Sequence, residues 1–204
     1  MVEALLSPRQ FFQALQERRP NLTAPFLIVL AASTLATLGN LLLVRLLPPS
    51  TPGGFALQLL LGLVGGVVGG IVFWGLGGLI IRLLAGPDSR AWEVYGWGNV
   101  PGLLVGLVLL PIGALFPITA ELPPLPPLND TEAFRAWQQT YQAAVASAPT
   151  TRVVQGLGLV SLAWSLWIIG TGLRVLVPQR AWLATLGVAA ASLAFTLWGI
   201  LGQG

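Results

Sequence analysis

The sequence contains no histidine, no cysteine, no lysine and a single methionine, and only 8% of its 204 residues are charged. Each absence excludes a chemistry. Without His or Cys there is no ordinary zinc site, thiol nucleophile, Ser-His triad, haem ligation or disulfide. Without Lys there is no Schiff base and no lysine for a nucleotide phosphate loop. Soluble domains carry charge on roughly a quarter of their residues, so this chain cannot build an ordinary water-facing shell. A net charge of +3 spread over such a chain does not describe a nucleic-acid surface either.

What is present is apolar: 55% of the residues are hydrophobic and another 25 are glycine. Five stretches, near 24–47, 55–81, 98–119, 153–177 and 181–202, are long enough to cross a hydrocarbon core, which takes about 20 helical residues. The predicted fold class is therefore all-α, a polytopic integral membrane protein forming one domain over 1–204. The first run is too long for a cleaved signal core of about 7–15 residues and is expected to stay in the mature protein. The second exceeds what a bilayer needs, so it tilts or starts as an interfacial turn after the Pro48, Pro49, Pro52, Gly53, Gly54 break.

Arginine sets the orientation. With the N-terminus cytoplasmic, Arg9, Arg18, Arg19, Arg82, Arg90, Arg174 and Arg180 lie inside, and Arg45, Arg135 and Arg152 outside. That asymmetry puts the loop 120–152 and the C-terminus outside. Two amphipathic helices are expected beyond the spans. Ser7, Pro8 and Gln10 read as a helix start before Phe11, Phe12 and Leu15, giving a leader helix over 8–18 that lies on the cytoplasmic surface with its arginines toward anionic headgroups. After the run Leu122 to Pro127, Asn129 or Asp130 can cap a helix over 131–147. There Phe134, Trp137, Tyr141, Ala144, Val145 and Ala148 form one apolar stripe, read as a lid on the bundle or a binding surface.

Within the membrane the clearest pattern is glycine. Gly62, Gly66 and Gly70 recur every four residues in the second span, and Gly98, Gly102 and Gly106 do so in the third. Such faces let helix backbones approach closely. They are expected to pack spans two and three together, the alternative being self-association of two copies. Ionisable groups at membrane depth normally mark a transport path or catalytic centre, yet no carboxylate falls mid-span. Arg45, Arg82 and Arg174 lie near span ends and can snorkel. Asp88, Arg90 and Glu93 read as solvated charges in a cytoplasmic loop. No cofactor, metal or small-molecule substrate is expected.

Several segments together carry a resemblance. The leader Ser7-Pro8-Arg9-Gln10-Phe11-Phe12 precedes five spans, the segment Gly96-Trp97-Gly98-Asn99-Val100-Pro101 enters the third, and the fourth contains Trp164-Ser165-Leu166-Trp167-Ile168-Ile169-Gly170-Thr171-Gly172-Leu173-Arg174. The chain thereby resembles the Yip-type (Ypt/Rab-interacting protein) family, in particular its bacterial five-span branch. In that family a Gly-Tyr pair, three residues and a Pro introduce the third span; Gly96 and Pro101 keep the frame, while Trp97 replaces the tyrosine. The resemblance implies a non-enzymatic role in organising membrane or binding a membrane-protein partner. Eukaryotic members look like trafficking factors that meet small GTPases through long N-terminal regions; only residues 1–23 precede the first span here, so GTPase docking is not implied. A small permease or lipid-moving protein is the alternative, and would need a polar cavity lined by Asn40, Asn99 and Gln155. The expected location is a bacterial cytoplasmic membrane, with the bilayer and a membrane protein or second copy as partners.

Overall fold

The computed structural model describes residues 1–44, 54–118, 126 and 130–201, with side chains as far as Phe195. Arg45, the Pro48 to Gly53 break, Asn129 and the proline-rich run 122–127 apart from Pro126 lie outside the described residues. Two short helices, α1 (Val2–Leu6) and α2 (Pro8–Gln16), precede the long helices α3 (Thr23–Leu43) and α4 (Gly54–Ala85). A tight turn leads to α5 (Ala91–Gly98) and α6 (Val100–Leu115). The amphipathic α7 (Thr131–Ser147) is followed by α8 (Pro149–Leu176) and α9 (Ala181–Leu201).

Four segments are long and apolar enough to cross a membrane: Thr23–Leu43, Gly54–Ala85, Pro87–Leu115 and Pro149–Leu176. α9 is a further apolar helix. The burial pattern agrees with a lipid solvent, because size and exposure are inverted relative to a soluble core. Leu61 (61% exposed), Leu83 (72%) and Leu159 (62%) face outward, while Gly62, Gly66, Gly70, Gly77 and Gly78 are buried. Small residues inside maximise backbone contact where lipid gives helices no hydrophobic reason to associate. At 32 residues, α4 is about 48 Å long at 1.5 Å per residue and overreaches a 30 Å core, as its sequence predicted.

The long helices close a ring: α3 packs on α4 and on α6, α4 on α9, α9 on α8, and α8 on α6. α5 touches α3, α4 and α8 and plugs the ring at the end where α2 sits. The third span thus begins earlier than the predicted residue 98 and is broken in two. Pro101 lies in the first turn of α6, where it cannot donate a backbone hydrogen bond to the preceding helix. Asn99 bridges the break, its Nδ2 donating to the Tyr95 carbonyl at 2.8 Å and its own carbonyl accepting from the Leu103 amide at 3.1 Å. Further boundaries differ: α1 lies ahead of the predicted leader, α2 ends at Gln16 rather than 18, α4 runs on to Ala85 past the predicted 81, α6 ends at Leu115 rather than 119, and α8 takes in residues 149–152 of the predicted outer loop.

Candidate functional site

At the α2 end, residues far apart in sequence form a dock. Pro8 occupies the first turn of α2, as predicted, but the Ser7 side chain makes no cap bond. Instead α2 is held by its apolar face. Phe12 is fully buried and Leu15 nearly so, in a cluster with Ile81, Val94, Ile168 and Leu173. Phe12 has room only because position 172 is glycine: a Cβ there would lie 2.7 Å from the Phe12 ring. Phe11 meets Trp97 edge-on at 4.9 Å, and Gln16 Nε2 donates to the Val175 carbonyl at 3.0 Å. The apolar side of the leader therefore belongs to the bundle core rather than facing lipid. Arg9, Arg18 and Arg19 remain exposed on its outer side.

A buried ion pair locks the dock. Arg90 Nε donates to Glu93 Oε2 at 2.7 Å, with the two side chains 12% and 2% exposed. Arg90 Nη1 donates to the Leu15 carbonyl, and Glu93 Oε1 accepts from the Asn21 amide at 3.4 Å. One pair thus joins the start of α5 to the last turn of α2 and to the chain entering α3. The sequence reading of solvated charges is wrong for Arg90 and Glu93, because α2 covers them; Asp88 alone is exposed. Arg90 takes a left-handed conformation, φ 47°, which an L side chain adopts at a cost of roughly 1–2 kcal/mol. Its two side-chain hydrogen bonds, to the Glu93 carboxylate and the Leu15 carbonyl, act against that strain.

The glycine faces meet a different neighbour from the one predicted. A Cβ on Gly66 would come within 2.6 Å of Thr34 Cα, and one on Gly70 within 3.2 Å of Leu30 Cα, while Gly62 is covered by Leu41. Gly106 sits 2.9 Å, by the same measure, from Leu35 Cβ. The α4 face and Gly106 close on α3, which separates α4 from α6, and so are occupied within one chain. Gly98 packs elsewhere, against Ile169 on α8. Gly102 is not closely packed at all, its added Cβ meeting only Ala32 Cβ at 3.7 Å and Ser161 Oγ at 3.8 Å. The residues carrying the resemblance have parallel roles. Gly96 abuts the Pro25 backbone, Pro101 is fully buried, Trp164 packs on the α2 cluster, and Gly170 faces Thr185 on α9.

Beneath the α5 plug lies a cavity of ≈ 210 Å³. Tyr95 and Asn99, Ser161 and Ser165 on α8, and Ser192 on α9 supply its polar wall. Of the three residues predicted to line such a space only Asn99 does so; Asn40 and Gln155 are exposed elsewhere. The serines were legible in principle, since a four-residue spacing puts Ser161 and Ser165 on one face of α8. At the far end, the Asp130 carboxylate caps α7 by accepting from the Ala133 amide at 3.0 Å. Phe134, Trp137 and Tyr141 stack in sequence with centroids 6.1 and 5.3 Å apart, and partial burial raises the Tyr141 phenol above its usual value. Yet α7 has no fully buried residue, and α8 is its main packing partner among the described elements. It does not lid the bundle.

Comparison with known proteins gives the chain a family. The chain is 30% identical over 122 residues to the uncharacterized protein MJ0794 of Methanocaldococcus jannaschii, an alignment that spans 55% of this chain and 86% of that protein. No solved structure matches. The Yip1 domain matches residues 2–202, which takes in the docked leader, the broken third span and the last two helices. With nearly its whole length covered, the chain belongs to the Yip1 domain family of membrane proteins.

Proposed function

We propose that this protein acts by contact in and on the bilayer, as a non-enzymatic, five-span protein of a bacterial cytoplasmic membrane that organises membrane or binds a membrane-protein partner. In this reading α9 is the fifth span, α2 lies on the cytoplasmic side, and α7 and the C-terminus lie outside. The carrying observation is α7 itself: a capped amphipathic helix whose stacked aromatic ladder is partly exposed and which has no fully buried residue. An apolar stripe of that kind is stable in water only against a second surface, and tryptophan and tyrosine favour the membrane interface. The Arg90 and Glu93 charges support the reading, because they are spent on holding α2, and no other ion pair occurs among the described residues.

Purified protein in liposomes tests this. The expected result is quenching of Trp137 fluorescence by lipids brominated near the glycerol, read against a Trp137→Phe control, with no proton- or sodium-driven solute uptake above empty liposomes. Gradient-driven uptake would replace the contact role by a permease.

A further inference from the structure

The cavity under α5 has features that helix packing does not explain. Hydroxyl side chains in apolar helices normally satisfy themselves on the carbonyl one turn back. Thr37 does so on Ser33 at 2.8 Å, and Thr185 on Ala181 at 2.8 Å. Ser161 is 9% exposed and lines the cavity, yet neither it nor Ser165 donates to an acceptor among the described residues. Two glycines keep the space open. A Cβ on Gly158, at the exposed rim, would meet nothing within 4 Å, and one on Gly102 would point toward Ser161. The remaining wall is apolar, from Leu162, Ile169 and Val188, and contains no carboxylate or arginine.

We infer that this cavity binds the uncharged glycerol ester portion of a membrane lipid of the diacylglycerol class. Serine hydroxyls donate to ester carbonyls, and Tyr95 and Asn99 suit a free hydroxyl. A wall without formal charge offers nothing to a phosphate. The volume of ≈ 210 Å³ equals about seven water volumes, enough for a glycerol and its ester groups but not for acyl chains. The chains then leave past Gly158 along the outer surface of α8, where Leu159 and Val160 are exposed. A free polyol shares the hydrogen-bonding chemistry but gains nothing from the apolar rim. The inference uses no residue of α7, so it stands or falls separately from the contact role.

The full chain is reconstituted in phosphatidylcholine nanodiscs carrying a trace of photoreactive diacylglycerol, and adducts are mapped by mass spectrometry. The expected result is labelling concentrated on residues 95–102 and 158–166, suppressed by excess unlabelled diacylglycerol and untouched by excess glycerol. Ser161→Ala combined with Ser165→Ala should lower the label roughly tenfold with no change in melting temperature, from two lost hydrogen bonds. Gly102→Leu, which fills the space without removing a donor, should do the same and decides the matter if the serine variant does not fold. Label spread evenly over the lipid-facing surface, label unchanged in both variants, or suppression by glycerol as strong as by diacylglycerol would each overturn the inference.

Discussion

Phe12 sits on Gly172, with 2.7 Å between its Cε2 and the place a Cβ would take. A ring from the start of the chain is seated in the fourth long helix, and the seat exists because one residue there has no side chain. The contact makes α2 part of the bundle, and it ties the docking of the leader to a single position on α8.

Gly172→Leu should therefore evict Phe12 and release α2, at a cost of about 1–3 kcal/mol for overpacking. Amide hydrogen exchange over residues 8–16 reads this directly: protection is lost in the variant while α3 and α4 keep theirs. In that background Phe12→Ala should cost much less than the roughly 3–5 kcal/mol of a phenylalanine deletion from an intact core, because the two changes share one contact. Full protection of α2 in Gly172→Leu would show that the ring is not what holds the leader.

The ion pair yields a second expectation. Removing one partner of a buried pair leaves the other charge uncompensated, typically at about 3–5 kcal/mol. Glu93→Gln should thus lower the detergent melting temperature sharply, whereas Asp88→Asn, at an exposed position a few residues away, should leave it unchanged. Arg90→Lys should not rescue the dock, since one ammonium cannot span both the Glu93 carboxylate and the Leu15 carbonyl with fixed fork geometry. Equal melting of Glu93→Gln and Asp88→Asn would place no weight on the pair.

Glycine spacing alone does not predict which glycines are indispensable. Gly66 faces Thr34 backbone, Gly102 faces a cavity, and Gly65 faces open space. Alanine at Gly66 must push α3 away and should cost about 1–3 kcal/mol. At Gly102 or Gly65 the same change adds a methyl group into room and should fall within about 0.5 kcal/mol of the parent. Thermal unfolding in one detergent separates these outcomes; a destabilised Gly102→Ala would mean that the cavity is closed.

The long helices were legible because apolar runs above the crossing length have few other uses. Their partners were not. The four-residue period of Gly62, Gly66 and Gly70 identifies a face but carries no information about which helix covers it, and α3 has no matching glycine period to announce itself. Arg90 and Glu93 stand three apart, a spacing that allows pairing on one helix face. Their burial depends on α2, which arrives from 75 residues upstream of Arg90 and left no mark on the local sequence. Pro101 signalled the break in the third span, yet the preceding stretch contains Arg90 and Glu93 and so looked too polar to continue it. The error at α7 is of the opposite kind: its stripe is present as read, but amphipathicity does not say whether protein or lipid meets it.

Topology is open to a direct test, because the chain has no cysteine and any introduced thiol is unique. Ser89 is a poor probe despite its loop position, being fully buried with its hydroxyl donating to the Gly86 carbonyl at 2.7 Å. Asp88 and Ser147 are both exposed and lie at opposite ends of the bundle. Among the described residues the arginines divide between those ends seven to two, and arginine is retained on the cytoplasmic side of short loops. In intact cells a membrane-impermeant maleimide should then label Ser147→Cys and should reach Asp88→Cys only after permeabilisation. The reverse pattern would put the α2 dock outside and α7 in the cytoplasm, and the surface that the aromatic ladder meets would then be the cytoplasmic one.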